Sequence, residues 1–152
     1  MKIAKGALVT VGIVCIVFAL LGGWYNSTTL LGSLSGVFSD LVEQHDIPYF
    51  YVAFYTMSAM CLLCYAILLF CGVQFLRFRT GVFPLFVGVL LFEVAYFFSV
   101  ALMWMMPHVG VSVAAATGVA NGGLMFQAYV VFPLWAPFVS WWAKNRLSQV
   151  TD

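Results

Sequence analysis

One carboxylate, Glu93, lies near the middle of a long apolar stretch, Val82 to Met106, and it is the residue best placed to do chemistry. An acid at mid-membrane depth costs roughly 2.5–3.5 kcal/mol on insertion scales, so acids there are rare and usually functional. The chain has no Lys, Arg or His at a comparable depth. Because removal from water disfavours the charged form, we expect Glu93 to be neutral.

Aromatic side chains share the helical face of Glu93 if successive residues are about 100° apart. Amide and hydroxyl groups on neighbouring stretches, Tyr65 among them, could bond to the carboxyl group. Glu93 could exchange a proton during transport, line a pocket for a ligand, or join helices through hydrogen bonds worth about 0.6 kcal/mol each. The predicted ligand or proton site comprises Glu93, Tyr96, Phe97, Trp104, Asn121, Gln127 and Tyr129.

Soft side chains offer a weaker alternative, a copper(I) site. Met103, Met106 and His108 lie near the outer end of the same stretch, and thioether and imidazole groups bind Cu(I). The pair Cys61-x-x-Cys64 has the spacing of a redox motif, but it lies deep in an apolar run that favours the unreactive thiol. Met and Cys are also ordinary packing residues, so we expect no metal and no cofactor. Without a phosphate-binding glycine loop or an HExxH motif, we predict that the protein is not an enzyme.

The composition indicates that lipid is the solvent for most of the chain. Of its 152 residues, 64% are hydrophobic and 7% are charged, whereas a soluble domain carries about 25% charged residues. The net charge of +1 gives no reason to expect nucleic-acid binding. We therefore predict an all-α, polytopic integral membrane protein in contact with membrane lipids.

Four apolar stretches are long enough to cross a hydrocarbon core of about 30 Å at about 1.5 Å per residue. No small-x-small cleavage site follows the first stretch, so we expect an uncleaved helix rather than a signal peptide. Residues 29–44 carry apolar side chains at helical spacing with polar ones opposite, which predicts an amphipathic helix. An interfacial tail over 134–147 completes a four-transmembrane-helix bundle. The predicted spans are 6–25, 49–76, 82–106 and 111–133.

Charges are segregated in this four-span topology. All six Lys and Arg fall on one side, and Asp40, Glu43 and Asp46 fall on the other. The positive-inside rule then predicts cytoplasmic N- and C-termini and an extracytoplasmic amphipathic helix, in a bacterial inner membrane. Asn26 begins a formal glycosylation triplet at the membrane edge, and we interpret it as a polar cap.

Small residues recur at helical spacing on three of the predicted spans, a pattern typical of close helix–helix contact. On the third span, Gly88 and Ala95 lie almost opposite Glu93, so only one of the two faces can point into the bundle. The predicted packing residues are Gly12, Cys15, Ala19, Gly22, Gly88, Ala95, Ala114, Gly118 and Gly122. We predict an accessory or scaffolding subunit that forms a homo-oligomer or joins a larger membrane complex. A proton-coupled carrier or channel and a quinone- or lipid-binding protein are the alternatives.

Overall fold

The computed structural model describes residues 2–45, 49–105 and 135–148, and every regular element in these ranges is helical. The prediction of an all-α chain is therefore confirmed for the described residues, none of which lies in a β-strand. Residues 135–148 are called the C-terminal helix below. The other elements are α1 (Lys2–Leu34), α2 (Ser39–His45), α3 (Phe50–Leu76), a 3-10 turn (Thr80–Val82) and α4 (Phe83–Trp104).

Helices α1 and α3 are long and apolar enough to cross a membrane. Their 33 and 27 residues extend about 50 Å and about 40 Å at the helical rise. In the most apolar window of each, only 33% and 39% of the residues are buried within the chain. A core helix of a soluble protein would be mostly buried, whereas apolar side chains such as Leu21 and Leu63 are here more than half exposed. These two helices indicate a membrane protein.

Helix α1 continues well past the predicted end of the first span. The predicted amphipathic helix over 29–44 is not found as one element: residues 29–34 belong to α1, and a separate helix, α2, covers Ser39–His45. The hydroxyl groups of Thr28 and Thr29 both donate to the carbonyl oxygen of Tyr25, which lets these polar side chains stay within the helix. The break comes in the turn at 35–38, where Gly36 adopts a φ of +82°. Backbone conformation ends the helix here, not the loss of hydrophobicity.

The second and third predicted spans agree closely with the observed helices. Helix α3 begins one residue inside the predicted range 49–76, and α4 lies within 82–106 after the short 3-10 turn. The predicted fourth span, 111–133, lies outside the described residues. Most of the predicted tail, 134–147, is found in the C-terminal helix.

Helices α1 and α3 pack against each other in antiparallel directions. Near one end Gly12 lies against Gly72, and near the other Ser33 Oγ donates to Tyr55 Oη at 3.3 Å. Helix α4 lies on α3, where the rings of Phe75 and Phe86 meet edge to face at 5.1 Å. The C-terminal helix contributes to the same buried core. The seam between α1 and α3 is thus the main packing surface on which the other helices lie.

One end of the molecule, called the basic end below, carries all the cations. Lys5 Nζ lies 5.4 Å from the ring centroid of Phe78, in the turn between α3 and α4. Lys144 Nζ lies 5.1 Å from the ring centroid of Phe83, at the start of α4. The acids Asp40 and Glu43 belong to α2 at the opposite end. The basic end comprises Lys2, Lys5, Arg77, Arg79, Lys144 and Arg146.

Candidate functional site

Glu93 lies on the inner face of α4. Phe86, Val89 and Leu90, which precede it at helical spacing, are all buried against α3 and its neighbours. Both carboxyl oxygens of Glu93 are themselves buried, although the residue as a whole is only half-buried. The acid therefore points towards the interior of the helix bundle, which decides between the two faces that α4 could present.

The carboxyl group faces the seam between α1 and α3. The buried core that Phe86, Val89 and Leu90 help to form also contains Cys15 of α1 and Cys61, Cys64 and Tyr65 of α3. Tyr65 is buried, and its ring fills the space beside Gly22 of α1. Three helices thus contribute side chains around Glu93, at a depth far from the basic end.

Neither carboxyl oxygen of Glu93 has a hydrogen-bond partner among the described residues. All six Lys and Arg of the chain lie at the basic end, so none is at hand to neutralise the carboxylate. A buried polar group that makes no hydrogen bond costs about 1–3 kcal/mol, and an ionised one costs more. The surroundings therefore favour the neutral acid and leave its hydrogen-bonding capacity unused.

Some of the predicted site residues lie near Glu93, and others lie outside the residues that the structure describes. Tyr96 follows one turn along α4, stacks on Phe92 at 6.4 Å and packs against the buried cluster of Phe50, Phe54 and Met57. Phe97 and Trp104 belong to α4, but the structure describes only their backbone. The remaining predicted site residues, Asn121, Gln127 and Tyr129, lie outside the described residues.

Two buried polar side chains were missed by the sequence interpretation. Asn26 is not a polar cap at the membrane edge but a fully buried residue inside α1. Its Nδ2 donates to the Gly22 carbonyl oxygen at 3.0 Å, and its Oδ1 has no partner among the described residues. Ser58 of α3 is also fully buried, and its hydroxyl group likewise has no partner in the described ranges. Asn26 continues the three- and four-residue spacing of the small stripe on α1, and that signal could have revealed its burial.

The small-residue stripe of α1 packs inside the chain. A Cβ atom on Gly12 would lie 2.9 Å from the carbonyl oxygen of Gly72, and a Cβ atom on Gly22 would overlap the Tyr65 ring. Cys15 and Ala19, the other two members of the stripe, are buried in the same core. Gly72 was not predicted as a packing residue. Its role shows only when the two helices are placed together.

The small-residue stripe on α4 faces outwards instead. Gly88 and Ala95 are both exposed, and a Cβ atom on Gly88 would meet nothing within 4 Å. Exposed apolar side chains, including Leu91 and Phe92, lie on the same helix. The third set of predicted packing residues, Ala114, Gly118 and Gly122, lies outside the described residues.

The sulfur-containing side chains form no metal site among the described residues. No group of three or more His, Cys, Asp or Glu residues in these ranges is arranged to hold a metal ion. The four cysteines are buried and form no disulfide bonds with one another. Of the weak copper candidates, Met103 has only its backbone described, and Met106 and His108 lie outside the described residues.

Comparison with known proteins adds no relative to this picture. No family model matches the chain, and no curated protein or solved structure matches it either. Two features of α4 bear on what the protein does. These are an acid that points inwards and a small-residue face that points outwards.

Proposed function

We propose that the chain is a four-transmembrane-helix bundle formed by α1, α3, α4 and the apolar stretch 111–133. Helix α4 has 22 residues, and about 33 Å of helix is enough to cross a bilayer core. It starts beside the C-terminal helix, where Lys144 contacts Phe83, and runs towards the cluster that contains Phe50. The chain must then return to the basic end before residue 135. A fourth span provides that return.

The proposed orientation places the basic end in the cytoplasm of a bacterial cell, with the protein in the inner membrane. The gathering of every Lys and Arg at one end, with Asp40 and Glu43 at the other, supports this orientation through the positive-inside rule. Both termini would then be cytoplasmic. The turn at 35–38 and α2 would be extracytoplasmic.

Within this bundle we propose a non-enzymatic role as an accessory or scaffolding subunit. The observation that supports it is the outward small face of α4, where the space beside Gly88 is open. Helices in lipid associate through van der Waals contact, and small residues permit the closest approach. The matching stripe on α1 is already occupied by α3, so α4 presents the described small face that remains for another chain. That partner would be a second copy or a subunit of a larger complex.

Enlarging this face should prevent association without unfolding the chain. We expect Gly88→Leu to reduce self-association at least tenfold, because the new side chain would keep a partner helix from approaching closely. Energy transfer between labelled copies in lipid vesicles measures self-association, and affinity capture from native membranes measures binding to other subunits. Gly6→Leu is the matched control, because Gly6 is also open but lies at the start of α1. Unchanged association of the Gly88 variant in both assays would refute the scaffold role.

A second candidate function is a small oligomeric carrier or channel in which Glu93 exchanges a proton. The inward-facing carboxyl group, which has no hydrogen-bond partner among the described residues, favours it, because a residue kept only to join helices would be expected to make hydrogen bonds. Intramembrane acids that face a bundle interior commonly relay protons.

Transport in reconstituted vesicles tests this second function. We expect Glu93→Gln to lower proton flux to the background of empty vesicles, because glutamine keeps the shape of the acid but cannot release a proton. Asp40→Asn, which removes a distant exposed acid, should leave the flux unchanged. If wild-type protein gives no flux above background, or if the Gln variant matches it, the carrier function fails.

A further inference from the structure

We infer that the basic end is a binding surface for the headgroup of an anionic phospholipid, such as phosphatidylglycerol. The proposal uses the membrane character of α1 and α3 but does not depend on oligomerisation or transport. Lipid binding can therefore be disproved while the functions proposed above hold, and those functions can be disproved while lipid binding holds.

The positive charge of this surface is not compensated by the described residues. Six cations lie here, whereas the described acids Asp40 and Glu43 are at the other end and Glu93 is buried in the bundle. None of the six forms an ion pair within the described ranges. Apart from Lys144, which is half-buried beneath the start of α4, their side chains are exposed or only partly covered. An anion that approached this end would meet no competing carboxylate from the residues that the structure describes.

Helix ends add to the positive potential. Helices α1 and α4 both begin at the basic end, and neither has an acidic residue in its first turn. A helix N-terminus carries a partial positive charge, so Lys2 and Lys5 lie where cations destabilise α1. The C-termini of α3 and of the C-terminal helix lie at the same end and offset part of this effect. An anion from the surroundings would stabilise such a concentration of like charge, and phospholipid phosphates are the anions at the surface of a membrane.

The turn at 77–79 is built to hold two arginines beside this surface. Arg79 N donates to Gln74 O at 2.9 Å and Phe78 N donates to Phe75 O at 3.0 Å, which is the bonding pattern of a Schellman helix end. Its left-handed position, usually a glycine, is occupied by Phe78 with a φ of 58°. A bulky residue is strained in that conformation, so we expect the Phe78 ring to make a contact that offsets the strain. It lies under Lys5 Nζ and joins the start of α1 to the turn that carries Arg77 and Arg79.

Exposed aromatic side chains indicate that the basic end lies at the depth of the lipid headgroups. Phe78, Trp141 and Trp142 are at least 40% exposed and lie within a few residues of the cations. Exposed tryptophans next to lysines and arginines are typical of the headgroup region of a bilayer, where the ring contacts acyl chains and the cation contacts phosphate. A phosphodiester held by Arg77 and Arg79, with its acyl chains against these rings, satisfies both kinds of side chain. Arginine suits this role because its guanidinium group binds phosphate through two hydrogen bonds.

Native mass spectrometry of the full chain, released from a neutral detergent, tests the proposal with phosphatidylglycerol and phosphatidylcholine of identical acyl chains as probes. We expect at least tenfold stronger retention of phosphatidylglycerol. The double variant Arg77→Gln/Arg79→Gln should weaken that retention by about 30-fold, from about fivefold for each cation lost near a lipid surface. The double variant Arg77→Lys/Arg79→Lys should retain most of the binding, and Asp40→Asn should retain all of it.

Raising the salt concentration provides a second measurement on the wild-type chain that needs no variant to fold. Exposed charges are screened beyond about 10 Å at 0.1 M salt, so retention of phosphatidylglycerol should fall as salt rises while that of phosphatidylcholine stays constant. Circular dichroism in phosphatidylcholine micelles shows whether each variant keeps its helices. Equal retention of the two lipids by the wild-type chain would overturn the proposal, as would salt-independent retention. A folded Gln variant that binds phosphatidylglycerol like the wild type would also overturn it.

Discussion

Gly72→Ala is expected to lower the free energy of unfolding by about 1–2 kcal/mol, although alanine is the better helix former by up to about 1 kcal/mol. A Cβ atom at this position would lie 2.9 Å from the Gly12 carbonyl oxygen, 2.9 Å from Ile16 Cγ1 and 3.0 Å from Cys15 Cβ. Two of these atoms are backbone or fixed directly to it, so a rotamer change cannot make room. Helices α1 and α3 would have to move apart, and the contacts along their seam would weaken. Denaturant titration in mixed micelles, followed by circular dichroism, measures the change.

Gly6→Ala is the matched control for this prediction. It makes the same substitution in an exposed helical position where a Cβ atom would meet nothing within 4 Å. Because only the propensity gain remains, stability should stay constant or rise by up to about 1 kcal/mol. Gly12→Ala should resemble Gly72→Ala, since its Cβ atom would lie 2.9 Å from the Gly72 carbonyl oxygen. If Gly72→Ala and Gly6→Ala gave the same stability, the close approach of the two helices would be wrong.

This seam shows which part of the fold can be predicted from the sequence. The spacing of Gly12, Cys15, Ala19 and Gly22 predicts a close-packing face, and the structure uses that face. The sequence does not say what the face packs against, because a small-residue stripe suits a neighbour within the chain as well as another subunit. Gly72 had no such pattern around it, so only the assembled pair of helices reveals its importance.

Helix ends were predictable where a local signal marks them. The limits of α3 and α4 lie within two residues of their predicted ranges, because charged, glycine or proline residues flank both apolar runs. The end of α1 was misplaced because the prediction used the fall in hydrophobicity after Tyr25. Polar residues such as Thr28 continue a helix when their hydroxyl groups bond back to the preceding turn, so a fall in hydropathy does not mark the end of the helix.

The position of Glu93 near the middle of its helix could be predicted, but its direction could not. In a soluble protein, polar residues mark the outer face of a helix and reveal the inner one. In α4 both faces are apolar, so Phe86 and Leu91 look equivalent in sequence although the first is buried and the second is exposed. The direction of Glu93 follows from the packing of α4 on α3, which depends on the shapes of both helices.

Because Glu93 points inwards and has no hydrogen-bond partner in the part of the chain that the structure describes, Glu93→Met is expected to stabilise the chain. Methionine has nearly the same volume and no hydrogen-bonding groups to leave unsatisfied, so the free energy of unfolding should rise by about 2 kcal/mol. Glu93→Gln should change stability by less than about 1 kcal/mol, because an amide in that place is as unsatisfied as a neutral acid. Thermal and denaturant unfolding in the same micelles measure both variants. Glu43→Met, which replaces an exposed acid on α2, is the control and should lie within about 0.5 kcal/mol of the wild type.

The order of these variants separates an acid kept for function from one kept for structure. A residue that joins helices through hydrogen bonds would make Met the least stable variant, since it removes every such bond, and that result would also count against the carrier function. A residue retained for its proton instead makes the protein less stable than its apolar substitute, as is common where function conflicts with packing. A stabilised Met variant that has lost proton flux would mean that the cost of burying Glu93 is borne for transport. A stabilised Met variant with unchanged oligomers and no flux in any form would leave the outward face of α4 as the functional surface.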